Sequence, residues 1–342
     1  MKLLKILLPV IAPRQISRGL GDRHLAITLP VVVCLWLSCF SVFAASYPHV
    51  AVDMMPIKVS PHAYYVQGGT GVATDNYGFV SNSAFVVTSE GVIVFDTLGT
   101  PALGAQLLKA IRSVTAAPIK TVYISHYHAD HMYGTQAFSE TGAEIVTSDG
   151  AKRYLEGEVA EQRLLERRIS LSPWVDSNTR IVEPDRYVQG EERFTLGGVN
   201  IRVVDVGSAH SEGDLILYVE NDGVLFSGDI IFEDRIPFLG TSSSADWLAV
   251  LSEMEQADVR AIVPGHGKSA KNPRQIVSLT KNYLSFVRDS MKQAVDEWVP
   301  FDQAYEEIDW GDFIEYPAFL EANRRNAYGI YLSLEQESLQ SR

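Results

Sequence analysis

The stretch SHYHADH, residues 125–131, sets three imidazoles and one carboxylate within six residues, directly after a predicted strand that runs to residue 125. Zinc binds imidazole nitrogen and carboxylate oxygen readily in proteins. In an extended chain, side chains two positions apart point the same way, so we expect His126 and His128 to hold one ion together. Asp130 and His131 follow after the chain turns, and they can face a second ion. The stretch therefore predicts a metal site.

Three further residues of ligand type stand where predicted strands end, each close to a glycine. His210 ends the stretch VGSAH, Asp229 ends FSGD, and His266 lies in VPGHG. Glycine lets the backbone approach closely, and loops after strands often carry functional side chains. Taken singly, each residue has a simpler interpretation, since an aspartate after glycine is usually a turn residue. Together they predict the second half of a metal site.

Strand and helix patterns alternate in two successive halves of the chain. In the first half, β-branched runs at 84–88 and 92–96 indicate a hairpin, and the apolar spacing over 100–114 predicts a helix with Pro101 near its start. A charged helix is predicted over 151–168. In the second half, strands are predicted at 193–196, 201–206, 215–220, 224–227 and 261–263, with a helix at 245–257. This order favours an α/β architecture with two sheets inside and helices outside, a four-layered αββα sandwich.

The motif order HxHxDH, histidine, Gly-Asp and Pro-Gly-His-Gly resembles the metallo-β-lactamase superfamily over residues 60–270. The resemblance implies the metallo-β-lactamase fold and two zinc ions per chain. By this resemblance the first ion would be held by His126, His128 and His210, the second by Asp130, His131 and His266, and Asp229 would bridge both. It also implies that Asp96, in FDT, supports a ligand histidine from behind, with a plain turn aspartate as an equal alternative.

Residues 1–45 have the pattern of a secretory signal peptide. Five basic residues precede or flank an apolar run over 25–45, which ends in the stretch VFA and further small residues. This pattern predicts cleavage and export to the periplasm. An uncleaved membrane anchor is the rival interpretation, because about 20 apolar residues can span a bilayer, and a lipid anchor on Cys39 is a third. We expect a metallo-β-lactamase-like domain at 46–270 and a helical C-terminal extension at 271–342.

Charge and cysteine content exclude some function classes. The net charge of −13 becomes more negative once the basic leader is removed, which argues against a nucleic-acid partner. Both cysteines, Cys34 and Cys39, lie inside the apolar run. The mature chain would therefore have no disulfide and no thiolate for metal binding or nucleophilic catalysis. A membrane contact is expected only if the leader stays uncleaved, and the sequence specifies no oligomeric state.

The ligand set predicts a hydrolase for a small-molecule ester, thioester, lactone or amide. Two zinc ions would share a bridging hydroxide that attacks the substrate, and Asp130, the expected catalytic residue, would orient it. Two alternatives stay open: a β-lactamase that hydrolyses β-lactam antibiotics, and a mononuclear-iron oxidoreductase that resembles persulfide dioxygenases. A metal-binding module without catalysis is disfavoured by the complete ligand set.

Departures from family patterns narrow the resemblance. The thiolate-bearing β-lactamase subclasses carry cysteine where Asp229 stands here. The motifs look most like those of exported zinc hydrolases associated with sulfur oxidation or quinoprotein relay systems. Two other histidines, His49 and His62, match no motif and are interpreted as surface or packing residues.

Overall fold

Two β-sheets pack face to face in this protein, and helices cover the outer face of each sheet. The computed structural model describes residues 47–240 and 242–340, so the predicted signal peptide at 1–45 lies outside the described residues. A central hydrophobic cluster joins the inner faces of both sheets, where Phe95 meets Phe226. Two further clusters lie between each sheet and its helices. Three hydrophobic layers require four layers of secondary structure, and the predicted αββα sandwich is confirmed.

The first sheet contains seven strands that neighbour one another in chain order. They are β1 Ile57–Lys58, β2 Ala63–Val66, β3 Ser83–Val87, β4 Val92–Phe95, β5 Ile119–Tyr123, β6 Glu144–Ser148 and β7 Arg186–Val188. Strands β1 to β4 pair antiparallel, which confirms the predicted hairpin of β3 and β4. From β4 to β7 the pairing is parallel. All four side chains of β4 are buried and apolar, as expected for a strand covered on both faces.

The second sheet contains five strands in the order β12-β11-β10-β9-β8. Their bounds are β8 Glu191–Leu196, β9 Val199–Asp205, β10 Leu215–Val219, β11 Val224–Phe226 and β12 Ala261–Val263. Strands β8 to β11 pair antiparallel, whereas β11 and β12 pair parallel. The loops that follow β11 and β12 therefore leave this sheet at the same edge.

The helices match the predicted apolar spacing closely. They are α1 Pro101–Val114, α2 Ala129–Met132, α3 Thr135–Ser139, α4 Lys152–Leu155, α5 Glu158–Ser170, α6 Ser244–Met254, α7 Pro273–Asp296, α8 Phe301–Glu307 and α9 Phe319–Gln340. Helix α1 begins at Pro101, and the Thr100 side chain accepts a hydrogen bond from Leu103 N in its first turn. The charged helical stretch predicted over 151–168 is present as two helices, α4 and α5, because Gly157 takes an extended conformation between them.

The C-terminal region is helical over α7, α8 and α9, and it covers the outer face of the second sheet. Helix α7 buries eight side chains along one side, including Ile276, Leu284 and Met291. Among the described residues, no helix is both long enough and apolar enough to cross a bilayer. The region therefore serves as one of the four layers of the sandwich.

Candidate metal centre

The seven predicted ligands converge at one edge of the sandwich, in loops that follow strands. The stretch SHYHADH follows β5, His210 follows β9, Asp229 follows β11, and His266 follows β12. The ligand atoms form two groups, each with all its atoms within 4.8 Å of one another. The first group is His126, His128, His210 and Asp229, and the second is Asp130, His131 and His266.

The strand before the first histidine is shorter than the sequence predicts. Strand β5 ends at Tyr123 rather than at residue 125, because Ser125 N donates a 2.6 Å hydrogen bond to Asp96 Oδ1 instead of continuing the sheet ladder. The two residues do not lie on an extended strand, so the predicted reason for the pairing of His126 with His128, side chains that alternate along a strand, is wrong. The two rings converge through different atoms, Nε2 of the first and Nδ1 of the second.

The first group contains three imidazoles whose nitrogens face one another. His126 Nε2 lies 2.9 Å from His128 Nδ1, which lies 2.8 Å from His210 Nε2. Burial lowers the pKa of His128 to about 4 and the pKa of His210 to about 3, and it holds the pKa of His126 well below its usual value. All three rings are therefore neutral at pH 7, the state in which imidazole binds a metal ion.

The second group places a carboxylate beside two buried imidazoles. Asp130 Oδ2 lies 3.6 Å from His131 Nε2 and 3.4 Å from His266 Nε2. The Asp130 side chain is 24% exposed, whereas both imidazoles are at most 3% exposed. Burial raises the pKa of Asp130, but the imidazoles of His131 and His266 lower it further, so it stays well below its usual range. Asp130 is therefore an ionised carboxylate on the solvent side of the group.

Asp229 lies between the two groups and contacts both. Its Oδ1 is 3.0 Å from His131 Nε2, while its Oδ2 is 3.2 Å from His266 Nε2 and 3.5 Å from His210 Nε2. Burial raises the pKa of Asp229, but the adjacent imidazoles hold it well below its usual range. One ionised carboxylate within reach of both sets of nitrogens has the geometry required of a bridging ligand.

The donor set fits a divalent metal ion. His131 Nε2 and Asp229 Oδ1 are buried 3.0 Å apart, yet neither makes a hydrogen bond with any described residue. A buried polar atom without a partner costs about 1–3 kcal/mol, and a cation bound by both atoms would remove this cost. Imidazole nitrogens and carboxylate oxygens are ligands that zinc accepts.

Asp96 supports both groups from behind. Its Oδ2 accepts hydrogen bonds from His131 Nδ1 and from Ser125 Oγ, each at 2.8 Å. Ser125 Oγ also lies 2.9 Å from His126 Nδ1, and since the hydroxyl donates to Asp96, it accepts from that ring nitrogen. Both imidazoles therefore direct their Nε2 atoms towards the metal position. These bonds favour the supporting role of Asp96 over the interpretation as a turn residue. The sequence analysis did not identify Ser125 as a supporting residue.

Asn82 is a second supporting residue that no sequence pattern marks. Its Nδ2 donates to the carbonyl oxygens of Pro264 and Gly267, both at 2.8 Å, and its backbone N–H donates to Gly265 O at 2.7 Å. These bonds tie the loop that carries His266 to the first half of the chain. Asn82 is only 3% exposed, so water does not compete for these bonds.

The C-terminal helices hold the loop at 232–239, which begins just after Asp229. Thr280 of α7 accepts from Phe232 N and donates to Phe232 O, both at 2.9 Å. Asn326 of α9 donates to Pro237 O at 2.7 Å and accepts from Leu239 N at 3.0 Å. The helical region therefore shapes one wall of the centre, a role that the sequence did not reveal.

The two remaining histidines of the described residues lie outside both groups. His62 Nδ1 is 3.0 Å from Asp222 Oδ1, in the turn before β11 and thus at the end of that strand opposite to Asp229. His49 is exposed, and its backbone carbonyl oxygen accepts a hydrogen bond from Trp174 Nε1 at 3.2 Å. Neither ring belongs to the two ligand groups found among the described residues.

Comparison with known proteins identifies enzymes that are similar to this chain. The chain is 19% identical over 256 residues to a linear primary-alkylsulfatase of a Pseudomonas species, with 64% of this chain and 48% of that protein covered. It is 29% identical over 173 residues to the acyl-coenzyme A thioesterase MBLAC2 of Gallus gallus, with 47% and 61% covered. The chain therefore spans about half the length of that alkylsulfatase.

A solved structure shares the fold over most of the chain. The stereoselective inverting sec-alkylsulfatase Pisa1 from a Pseudomonas species superimposes with a TM-score of 0.64, at 15% identity, over 81% of this chain and 50% of its own. A sequence profile described as the metallo-beta-lactamase superfamily matches residues 76–266, more than half of the chain. The match includes all seven residues of the two groups, and the chain belongs to the metallo-β-lactamase superfamily.

Proposed function

We propose that this protein is a hydrolase with two zinc ions, one at each group of ligands, and that its substrate is a small molecule with an ester, thioester, lactone or amide bond. The observation that carries the proposal is the position of Asp229, whose Oδ1 lies 3.0 Å from His131 Nε2 in the second group and whose Oδ2 lies 3.5 Å from His210 Nε2 in the first. Two relatives, an alkylsulfatase and an acyl-coenzyme A thioesterase, support the hydrolytic reaction class.

When bound, two zinc ions supply Lewis acidity and a nucleophile at neutral pH, because they lower the pKa of water to about 7. The protein's own residues supply orientation and proton transfer. Asp130 is the only one of the two carboxylates with substantial exposure, at 24% against 4% for Asp229. The low pKa keeps Asp130 ionised at pH 7, so its exposed carboxylate can accept a hydrogen bond from the attacking water and pass a proton on to a leaving group.

The names of the relatives suggest which bonds to test first. An alkylsulfatase and an acyl-coenzyme A thioesterase both act at a bond next to an alkyl or acyl chain. We therefore propose esters and thioesters of such chains as the leading substrate class. The absence of a cysteine at position 229 sets this site apart from the thiolate-bearing β-lactamases, although β-lactam turnover belongs in the same screen.

The metal assignment is tested on the purified protein by elemental analysis. We expect about two zinc ions per chain in the wild type, and loss of most metal and activity in His128→Ala. His62→Ala is the matched control, because it removes an imidazole at the opposite edge of the sandwich and should retain both ions. One iron per chain would contradict the zinc proposal and favour the oxidoreductase alternative.

The substrate class is tested with the zinc-loaded protein on alkyl sulfates, acyl-coenzyme A thioesters, lactones and β-lactams. Hydrolysis of an ester or thioester with kcat/KM well above that for any β-lactam supports the proposal. Asp130→Asn should retain both metal positions more fully than His128→Ala while losing most activity. Equal loss of metal in both variants would contradict the proton-transfer role of Asp130.

A further inference from the structure

Arg235 is a buried cation beside the second group of ligands. It lies in the loop at 232–239, is 4% exposed, and its guanidinium carbon lies 5.5 Å from the centre of the Phe238 ring. Its neighbour Ile236 is fixed through a 3.0 Å hydrogen bond from its backbone N–H to Pro317 O. The loop backbone next to Arg235 is therefore anchored to the C-terminal region.

The guanidinium of Arg235 has no ion-pair partner among residues 47–240 and 242–340. No carboxylate oxygen of the described residues lies within 4.0 Å of it, and its Nε is buried without a hydrogen bond. Its side chain instead contacts a ring nitrogen, since Nη1 lies 3.4 Å from His266 Nδ1. Arginine stays charged in proteins, so a full positive charge stands directly behind one predicted metal ligand.

This contact opposes the form of His266 that can bind a metal ion. To offer its Nε2 lone pair, the neutral ring must carry its proton on Nδ1, and that N–H donates to Val80 O at 2.7 Å. In this tautomer two N–H donors, from Arg235 and His266, face each other across 3.4 Å. In the other tautomer Arg235 donates to Nδ1 and the proton stands on Nε2, 3.2 Å from Asp229 Oδ2, where it blocks the metal position.

Among residues 47–240 and 242–340, no arginine or lysine forms a hydrogen bond with an imidazole of the first group, and Arg163, whose charge acts on His128, is 44% exposed. The outer nitrogen of His126 bonds to the neutral Ser125 hydroxyl, and the ring of His210 packs against Trp247 at 5.0 Å between centres. Charges interact strongly in a buried, water-poor environment, so the effect of Arg235 falls mainly on the group that contains His266.

We propose that Arg235 weakens metal binding at the second group, so that the two positions fill in order as the metal concentration rises, the first group before the second. The proposal rests on the two-metal function above and adds a regulation of it. At limiting zinc the protein holds one ion, and its activity follows the filling of the position next to Asp130, His131 and His266. Arg235 thereby sets the zinc concentration at which the centre becomes complete.

The test is a zinc titration of the full chain, first freed of metal by dialysis against a chelator, in competition with a chromophoric chelator. The wild type should bind two ions in separate steps. Arg235→Met, which keeps the length and apolar packing of the side chain but removes its charge, should strengthen the second step by about tenfold or more and leave the first step nearly unchanged. Arg235→Lys keeps the charge and should resemble the wild type. Thermal unfolding of each metal-free variant checks that it is folded.

The outcomes separate this proposal from the proposed function. A wild type that binds a single ion at every zinc concentration contradicts the two-metal function. A wild type that binds two ions, with a second step that is unchanged or weakened in Arg235→Met, overturns the role of Arg235 alone. Equal strengthening by Arg235→Met and Arg235→Lys would also overturn it, because the effect would then not depend on charge.

Discussion

Gly265 and Asp229 approach each other so closely that a Cβ at position 265 would lie 2.0 Å from Asp229 Oδ1. The same Cβ would stand 2.6 Å from the backbone carbon of Gly228. Neither contact can be relieved by a flexible side chain, because one involves the backbone and the other a carboxylate that is 4% exposed. The glycine of the VPGHG stretch is therefore required by the position of the carboxylate that serves both groups.

Gly265→Ala should accordingly displace the Asp229 carboxylate and weaken metal binding at both groups. We expect zinc affinity to fall by about 10–100-fold, similar to the loss of a residue that orients a ligand. Chelator competition measures the change. Gly329→Ala is the control, since its Cβ would meet nothing closer than 4.0 Å and alanine favours a helix. Unchanged zinc affinity in Gly265→Ala would contradict the bridging position of Asp229.

Asp96→Asn should weaken the metal centre while leaving its ligands in place. In asparagine one carboxylate oxygen is replaced by an NH₂ group, which cannot accept a hydrogen bond. At least one of the buried donors that bond to Asp96, such as His131 Nδ1 or Ser125 Oγ, therefore loses its partner. We expect zinc affinity to fall by about 10–100-fold. Asp222→Asn is a matched control at the opposite edge, where the carboxylate bonds to His62. Stability of that control can fall, but its zinc affinity should not.

The pH dependence of zinc binding should differ between the two groups. His128 and His210, with pKa values of about 4 and 3, are already neutral at pH 5, so binding at the first group releases no proton from them. Burial lowers the pKa of His131, but the charges of Asp229, Asp96 and Asp130 together raise it well above its usual value. His131 must therefore lose a proton when the second ion binds.

Between pH 5 and pH 7, affinity at the second group should consequently rise by about tenfold per pH unit for each proton released, while affinity at the first group stays nearly flat. Calorimetric titrations in buffers of different ionisation enthalpy measure the released protons directly. Equal proton release in both binding steps would show that the two groups do not differ in this way.

Asn326→Ala should loosen the loop at 232–239 from the C-terminal helices. The change leaves Pro237 O and Leu239 N buried without partners, at a cost of about 1–3 kcal/mol each. We expect a clear fall in the unfolding temperature and a higher KM, because this loop forms a wall of the centre. Ser333→Ala, on an exposed part of the same helix, should change neither quantity. An unchanged KM would mean that the loop does not contact substrate.

Much of the centre is predictable because metal ligands have few residue types and short spacings. The stretch SHYHADH holds four ligands within six residues, and its position after a buried strand is visible in the apolar pattern of β5. His210, Asp229 and His266 are marked by glycine-rich strand ends, but their assignment to the same site needed the resemblance of the whole motif order. The structure brings all seven together as that resemblance implies.

Other parts of the centre had no local signal. Asn82 bonds to residues more than 180 positions away. Thr280 and Asn326 hold the loop at 232–239, and they lie in helices to which the sequence analysis assigned no definite role. Arg235 follows two acidic residues in the stretch FEDR and matches no motif. Each of these side chains acts through partners that are distant in the chain, and hydrophobic periodicity carries no information about such contacts.

The sequence by itself determined the layered α/β architecture and the chemical identity of the seven ligands, because strand and helix periods and ligand types are local properties of the chain. The tertiary structure alone decided that Oδ2 of Asp229 reaches imidazoles of both groups while Oδ1 faces His131, and that Arg235 stands behind His266. The physical reason is that these relationships depend on the packing of two sheets and a layer of helices, which sets distances between residues that no spacing along the chain connects.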